Sequence, residues 1–350
     1  MNGHNTHNKK YKVCTECFTF NQESFIEATL DGFTLQETSF PVVTVVVDDA
    51  STDGTADIIR DYLYKNFEIN DSSFEEKEYG LLAKAKHKEN DNCFFVIAFL
   101  KENLYQKGQH YLKNNYIKEW VEDSDYLAFC EGDDYWVDSL KLQKQVDFLE
   151  NNSDYSLVHT NLFINTDGHL TKEVRKSQTQ EYEDVLVRTG IATLTVLMRT
   201  NIFLEYYSKV NPIERGWNVI GDSPIWKYAA YKGKIMLLSD LTSVYRFHLQ
   251  SCSHSGDFEK KKTVITTAYN IKCFFNANYS SEQERERLQR IIDISFFESY
   301  LDVCVYFGKS KEAIAFLKEK RKQCEPKTFI HLVTSYVFLI TKKLFKKIKS

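Results

Sequence analysis

Proline and glycine are scarce, at four and 13 of 350 residues. So few chain breakers exclude a collagen-like, linker-rich or low-complexity chain. A strong basic balance is also missing: the formal net charge is −4, so nucleic acid is not an expected partner. No run of about twenty apolar residues is present to span a bilayer. The N-terminal stretch, with Asn2, His4, Asn5, His7 and Asn8, holds no apolar core of signal-peptide length. Cysteine occurs eight times, yet no two pairs stand at zinc spacing. Cys14 and Cys17 form a lone C-x-x-C inside a strand-like segment, a poor metal knuckle. The expectation is a cytoplasmic protein with reduced thiols.

What is abundant is aromatic. Tyr and Phe number 21 and 25, the composition of a packed globular core. Short apolar runs alternate with amphipathic stretches. Strands are predicted over residues 12–20, 42–47, 93–100 and 126–130, and helices over 24–36, 54–65, 109–121 and 138–151. The charged stretch 66–92 reads as a helical excursion on the surface. Beyond 160 the pattern loosens, with short strands at 193–198, 235–238 and 243–247, and the last hundred residues read as helical. Strand–helix alternation implies an α/β fold with a mostly parallel sheet, whose ligands sit at the C-terminal strand ends.

Three polar loops fall at those ends. The first is Thr19-Phe20-Asn21. The second is Asp48-Asp49-Ala50-Ser51-Thr52-Asp53-Gly54-Thr55, where Ser51, Thr52 and Asp53 can cap a following helix and Asp48 and Asp49 can accept from a base N–H or ribose hydroxyls. The third is Glu131-Gly132-Asp133-Asp134-Tyr135-Trp136. Three carboxylates in four positions repel one another, and a hard divalent cation that also bridges phosphates would relieve them.

With Gly221-Asp222-Ser223-Pro224-Ile225-Trp226 and Tyr245-Arg246-Phe247-His248 further on, these pieces resemble, in order, the family-2 glycosyltransferases over residues 11–255. The resemblance implies the GT-A fold, a Rossmann-like sheet flanked by helices. Residues 1–255 would form the catalytic domain, with a nucleotide-binding half at 11–160 and an acceptor half at 161–255. Residues 256–350 would form a helical extension. It also implies an inverting, metal-dependent transfer from a nucleoside diphosphate sugar, UDP favoured, to a glycan or lipid-linked acceptor in surface polysaccharide synthesis. Thr19, Phe20, Asn21, Asp48, Asp49, Glu131, Gly132, Asp133 and Arg246 would bind the nucleotide sugar. Asp133 and Asp134, in the place of the family's D-x-D element, would hold Mn²⁺ or Mg²⁺ with His248, and Asp222 would be the catalytic base. A sugar-phosphate nucleotidyltransferase is the competing enzyme class, but it would carry a Gly-rich loop after the first strand, and residues 18–22 hold no glycine. A non-catalytic nucleotide- or glycan-binding module would not need the acids.

The tail pairs an apolar-rich stretch, 329–340, with Lys342, Lys343, Lys346, Lys347 and Lys349. Such a helix either packs on its neighbours or lies on an anionic membrane surface, which makes residues 329–349 a candidate peripheral contact at the inner face of the membrane.

Overall fold

The computed structural model describes residues 9–188, 190–217, 219–247, 257–322 and 325–349, without the side chains of His110 and of residues 344–349. The elements of the first half are β1 (Tyr11–Thr19), α1 (Ile26–Thr34), β2 (Val42–Asp48), α2 (Thr55–Asn66), β3 (Phe67–Glu68), β4 (Phe74–Lys77), β5 (Gly80–His87), β6 (Cys93–Leu100), α3 (Lys113–Glu122), β7 (Ser124–Phe129), β8 (Tyr135–Trp136) and α4 (Lys141–Asn151). Then follow β9 (Tyr155–Thr166), β10 (His169–Glu173), β11 (Gln178–Gln180), α5 (Tyr182–Val187), β12 (Leu197–Arg199), α6 (Thr200–Val210), α7 (Ser223–Lys232) and β13 (Lys234–Phe247). The chain ends in α8 (Phe258–Tyr279), α9 (Glu282–Tyr306), α10 (Ser310–Lys320) and α11 (Pro326–Lys349).

The chain divides into two compact units: residues 1–182, 190–211 and 228–248, and residues 183–189, 212–227 and 249–350. The first unit contains the whole sheet. At its centre β7, β1, β2 and β6 run parallel in that order. β5 then adds antiparallel to β6, and β12 antiparallel to β7. β2 reads Val-Val-Thr-Val-Val-Val-Asp and is buried at every position, as a strand covered on both faces must be. One face carries α1, α2 and α4: Ile26, Leu30, Phe33, Ile59, Leu63, Leu142, Val146 and Leu149 pack with Val13, Cys17, Val46 and Phe95. Cys14 and Cys17 are both buried free thiols. Three residues apart on a strand, they point to opposite faces, so the C-x-x-C is two separate core positions.

The second unit is helical in its C-terminal part. Phe258, Phe297, Tyr300, Leu301, Cys304, Ala313 and Leu332 form its core, with Tyr300 stacked on Phe316 at 4.4 Å between ring centroids.

Several segments depart from expectation. Residues 66–92 are not a helix but the strands β3, β4 and β5, with β4 and β3 both antiparallel to β5. Along β5, Ala83 and Ala85 are buried while Lys84 is exposed. That period-two alternation was hidden by the high charge of an outer strand. The second is β9–β10, a hairpin in a region read as irregular. Its turn places Asp167 at φ +50 and Gly168 at φ +86, the two positive-φ positions of an Asp-Gly hairpin turn. The strands predicted at 235–238 and 243–247 are one strand, β13.

Helix α1 crosses the backbone of β8 at Gly32. A Cβ there would lie 2.8 Å from the Trp136 nitrogen and 3.0 Å from its carbonyl oxygen. Gly→Ala inside a helix ordinarily stabilises by about 0.5–1 kcal/mol. Gly32→Ala is expected instead to destabilise by about 1–3 kcal/mol through overpacking against main chain. Thermal unfolding decides: an unchanged or raised Tm would show that the crossing can relax.

Candidate functional site

The C-terminal ends of β1, β2 and β7 bring the three polar loops together within the first unit. The first two are stapled by side chains. Asn21, at φ +52, uses its amide on both sides: Thr52 N donates to Asn21 Oδ1 at 2.8 Å, and Asn21 Nδ2 donates to Thr52 Oγ1 at 3.3 Å. Asn21 N donates to Ser51 Oγ at 2.9 Å, Gln22 N to Thr55 Oγ1 at 2.7 Å, and Gly54 N to Glu23 Oε2 at 2.8 Å. Ala50, opposite, is also left-handed at φ +60. That conformation costs a non-glycine residue about 1–2 kcal/mol and is the kind of strain found at functional sites.

The two neighbouring acids of the second loop have separate environments. Asp49 is turned into the protein. Leu104 N donates to its Oδ1 at 2.8 Å, Tyr105 N to its Oδ2 at 3.1 Å, and Lys113 Nζ pairs with Oδ2 at 2.7 Å. The Lys113 ammonium also lies over the Phe18 ring at 5.2 Å. Either acid was expected to meet the base. The Asp49 carboxylate, bonded to Lys113 and two amides, anchors the loop after β6. Asp48 accepts from the Ser51 hydroxyl. Its carboxyl lies above the usual range, chiefly because it is buried, with the Ser51 bond pulling the other way.

The acid turn extends β7 along β1. Cys130 N donates to the Glu16 carbonyl and Gly132 N to the Phe18 carbonyl, each at 3.0 Å. Thr29 Oγ1 sits 2.6 Å from the Asp134 carbonyl and 2.9 Å from that of Gly132, which fixes the turn from α1. Gly132 has no room for a side chain: a Cβ would lie 2.3 Å from Gln22 Oε1 and 2.7 Å from Thr19 Oγ1. Thr19 Oγ1 in turn donates to Gln22 Oε1 at 2.6 Å. Phe20 and Asp133 are half-buried, and Glu131 is exposed. Asp134 is buried. Arg246 N donates to its Oδ1 at 2.8 Å, and Arg246 Nη1 donates to the Asp133 carbonyl at 2.6 Å. The guanidinium lies 4.3 Å from the Tyr135 ring centroid and 5.1 Å from that of Phe25. Burial first, and the Asp133 charge second, push the Asp134 carboxyl well above the usual range.

Among the described residues, no three His, Cys, Asp or Glu side chains form a ready-made metal cage. His248, expected as a ligand, lies outside the described residues. The donors present still fit a hard cation whose coordination phosphate oxygens complete. Asp133 and Asp134 are adjacent oxygen donors, and burial, then the Asp133 charge, already raises Asp134.

Asp222 belongs to the second unit. It opens α7, whose Ile225 N and Trp226 N donate to its carbonyl at 2.9 and 3.2 Å, while Ser223 N donates to its Oδ1 at 2.6 Å. One turn on, buried Lys227 donates from Nζ to Ser223 Oγ at 2.7 Å. Desolvation, then Lys272, lower its ammonium to about 7, against the pull of Asp222.

Sequence reasoning missed Glu16, Thr29 and Lys113. Glu16 did leave a signal, a lone charge inside the apolar run of β1. Its carboxyl is buried, Oε2 has no hydrogen-bond partner, and its pKa is raised to about 8, mainly by burial and then by the Glu131 charge, with Lys113 opposing. Folded Glu16 therefore keeps its proton to about pH 8, where the unfolded group loses it near 4.5. Between those values the folded state binds more protons, so this group's contribution to stability falls as pH rises. Glu16→Gln is expected to raise stability at pH 8.5 by a few kcal/mol, on the order of 1.4 per pKa unit, and to change it little at pH 4.5. Equal shifts at both pH values in thermal unfolding would contradict this.

Comparisons with known proteins follow the same outline. The glycosyl transferase family 2 model matches residues 18–83. An uncharacterized protein of Mycobacterium tuberculosis is 28% identical over 264 residues, 74% of this chain and 65% of its own length; the chain thus spans about two thirds of that relative. The UDP-Glc:alpha-D-GlcNAc-diphosphoundecaprenol beta-1,3-glucosyltransferase WfaP of Escherichia coli is 27% identical over 239 residues, 67% of this chain and 76% of that protein. Among solved structures, S. aureus TarS 1–349 in complex with UDP-GlcNAc superposes with a TM-score of 0.52 at 13% identity, covering 96% of this chain and 92% of that one. The mannosyltransferase PcManGT of Pyrobaculum calidifontis, in complex with GDP-Man and Mn²⁺, gives 0.50 at 12% identity, covering 96% and 87%. At such identities the structural likeness speaks for the fold, and the fold is GT-A. With its loops, its sheet and these relatives, the chain is similar to glycosyl transferase family 2, whose model matches residues 18–83.

Proposed function

We propose that this protein transfers a sugar from a nucleoside diphosphate sugar, UDP favoured, to a hydroxyl of a glycan or lipid-linked acceptor in bacterial surface polysaccharide synthesis. Residues 1–255 carry the reaction. The observation that carries the reading is the acid turn 131–134, held at the end of β7 by Thr29 and Arg246 beside the Thr19 and Asp48 loops. Thr19, Phe20, Asn21 and Asp48 line the nucleoside's place, with Asp48 facing the base or ribose. Glu131, Gly132, Asp133 and Arg246 border the diphosphate. A relative that uses UDP-Glc and a neighbour bound to UDP-GlcNAc support the choice of base.

Asp133 and Asp134 would hold a divalent Mn²⁺ or Mg²⁺, which when bound neutralises charge on the leaving diphosphate. The protein's own groups supply the rest. Arg246, its backbone nitrogen already tied to Asp134, adds a fixed positive charge beside the phosphates. Asp222 takes the acceptor hydroxyl's proton as that oxygen bonds to the anomeric carbon. The bond from that carbon to the phosphate oxygen breaks on the opposite face, its electron pair leaving with the diphosphate, so the configuration inverts. Asp133→Asn is expected to abolish Mn²⁺-dependent UDP binding in calorimetry. Asp222→Asn should bind UDP like the native protein and lower turnover by at least about a thousandfold, consistent with loss of a general base. Native UDP affinity in Asp133→Asn would remove the metal assignment, and native turnover in Asp222→Asn the base.

A lipid-linked acceptor would place the enzyme at a membrane surface. Among the described residues no helix is long and apolar enough to cross one. Within the second unit, α11 turns Leu332, Tyr336 and Leu339 to the helical core and leaves Ile330, Val337 and Phe338 exposed at 64%, 54% and 63%. Lys343 is spent on the carbonyls of Val305 and Tyr306 at the end of α9, but no acid follows Glu325. We infer that the outer face of α11 rests on anionic lipid. Vesicles containing phosphatidylglycerol should pellet the native chain, and replacing Ile330, Val337 and Phe338 by Ser should abolish pelleting. Equal pelleting would rule this face out.

A further inference from the structure

A gap in the sheet of the first unit is built like a small binding site. β9 pairs along one edge with β13 over its whole length. Along its other edge it pairs with β12 at Leu157 and Val158, and with β10 from Leu162 to Thr166. Residues 159–161 have no strand partner on that second edge among the described strands. A cavity of about 210 Å³ opens there, lined by Thr160, Asn161, Glu173, Arg175, Gly190 and Ala192 among others.

Its cation is fixed in place. Asn161, itself buried, clamps the main chain of Arg175 from both sides: Arg175 N donates to Asn161 Oδ1 at 2.8 Å, and Asn161 Nδ2 donates to the Arg175 carbonyl at 2.9 Å. Arg175 Nη2 donates to the Gly190 carbonyl. Arg175 Nε is buried and has no hydrogen-bond partner. No carboxylate forms an ion pair with this guanidinium among the described residues. Arg175 lines the cavity, and its guanidinium has donors beyond those already used to offer an anion there. On the rim, Glu173 is exposed and can accept from hydroxyls. The Thr160 hydroxyl, 2.7 Å from that of Thr242, adds a polar floor, and Ala192 an apolar wall.

One anion-seeking donor, one hydroxyl-seeking acid and an apolar wall, in a space the size of a single sugar ring, define a ligand with both an acidic group and hydroxyls. We propose that this gap binds a carboxylate-bearing sugar, a hexuronate, its carboxylate on Arg175 and its hydroxyls toward Glu173 and Thr160. The site is joined to the acid turn. Two residues past Ala192, the Leu194 carbonyl accepts from Trp136 Nε1 at 2.8 Å and from Ser243 Oγ at 3.2 Å, and Trp136 lies two residues past that turn. A sugar here would be a unit of the acceptor chain. That role rests on the transferase reading, whereas the binding itself does not.

The test is saturation-transfer NMR titration of the full chain with glucuronate, glucose and inorganic phosphate as probes. Glucuronate should bind, and glucose and phosphate should not. Arg175→Gln should weaken glucuronate at least about tenfold, the loss expected for a charged hydrogen bond. Ala192→Leu, which fills the gap and keeps Arg175, should weaken it similarly. UDP affinity, measured on the same samples, reports on the transferase reading separately, and circular dichroism with thermal unfolding confirms that each variant is folded. Failure of glucuronate to bind, unchanged glucuronate affinity in folded Arg175→Gln, or phosphate binding as tightly as glucuronate would each overturn the proposal.

Discussion

Carboxyl groups withdrawn from water toward one end of a parallel sheet are the constraint on which the rest of this structure depends. Glu16, Asp48 and Asp134 are all held above the usual carboxyl range, and in each the leading cause is burial. Their near neighbour Asp49 lies against Lys113 at 2.7 Å. A buried pair of that kind adds little net stability, but it fixes geometry, because losing either partner strands a charge. Here it ties the loop after β6 to the tip of β2. Carboxyl groups gathered at one strand end suit a phosphate that arrives with a cation better than a bare one. Perturbed carboxyl groups of this kind cluster at functional sites.

Crowding is tolerable because hydrogen bonds tie the loops around it together. Asn21 and Ala50 both occupy the left-handed region, and the staples from Asn21, Gln22 and Glu23 to residues 51–55 hold the first two loops as one surface. Gly132 lets the acid turn press onto Thr19 and Gln22, and Thr29 fixes it from α1. Behind the turn, the buried Lys141 ammonium, pushed down to about 7 by desolvation, lies over Trp136 at 4.3 Å and donates to Gln145 Oε1 at 2.7 Å. Donors and rings, more than counterions, support the acids.

Much of this was legible in the chain. The apolar runs of β1, β2, β6 and β7 have the periodicity of buried strands, and a loop that ends in acids at a strand tip declares itself locally. What could not be read depends on partners far away in sequence. Nothing near residue 113 announces that its lysine meets Asp49, and nothing in Asp48-Asp49 tells which acid faces inward. Arg175 owes its place to Asn161, fourteen positions earlier. The strand β5 was legible in principle, through Ala83-Lys84-Ala85-Lys86, but net charge outweighed alternation. The Asp-Gly turn at 167–168 was a stronger signal than the irregularity around it.

The central claim is that these loops receive a cation-bound nucleoside diphosphate. A crystal structure of the chain grown with UDP and Mn²⁺ tests it most directly. The account predicts metal density against Asp133 bridging to the diphosphate, with the uridine beside Thr19 and Asp48. UDP ordered elsewhere on the protein, with no ion at the acid turn, would contradict it.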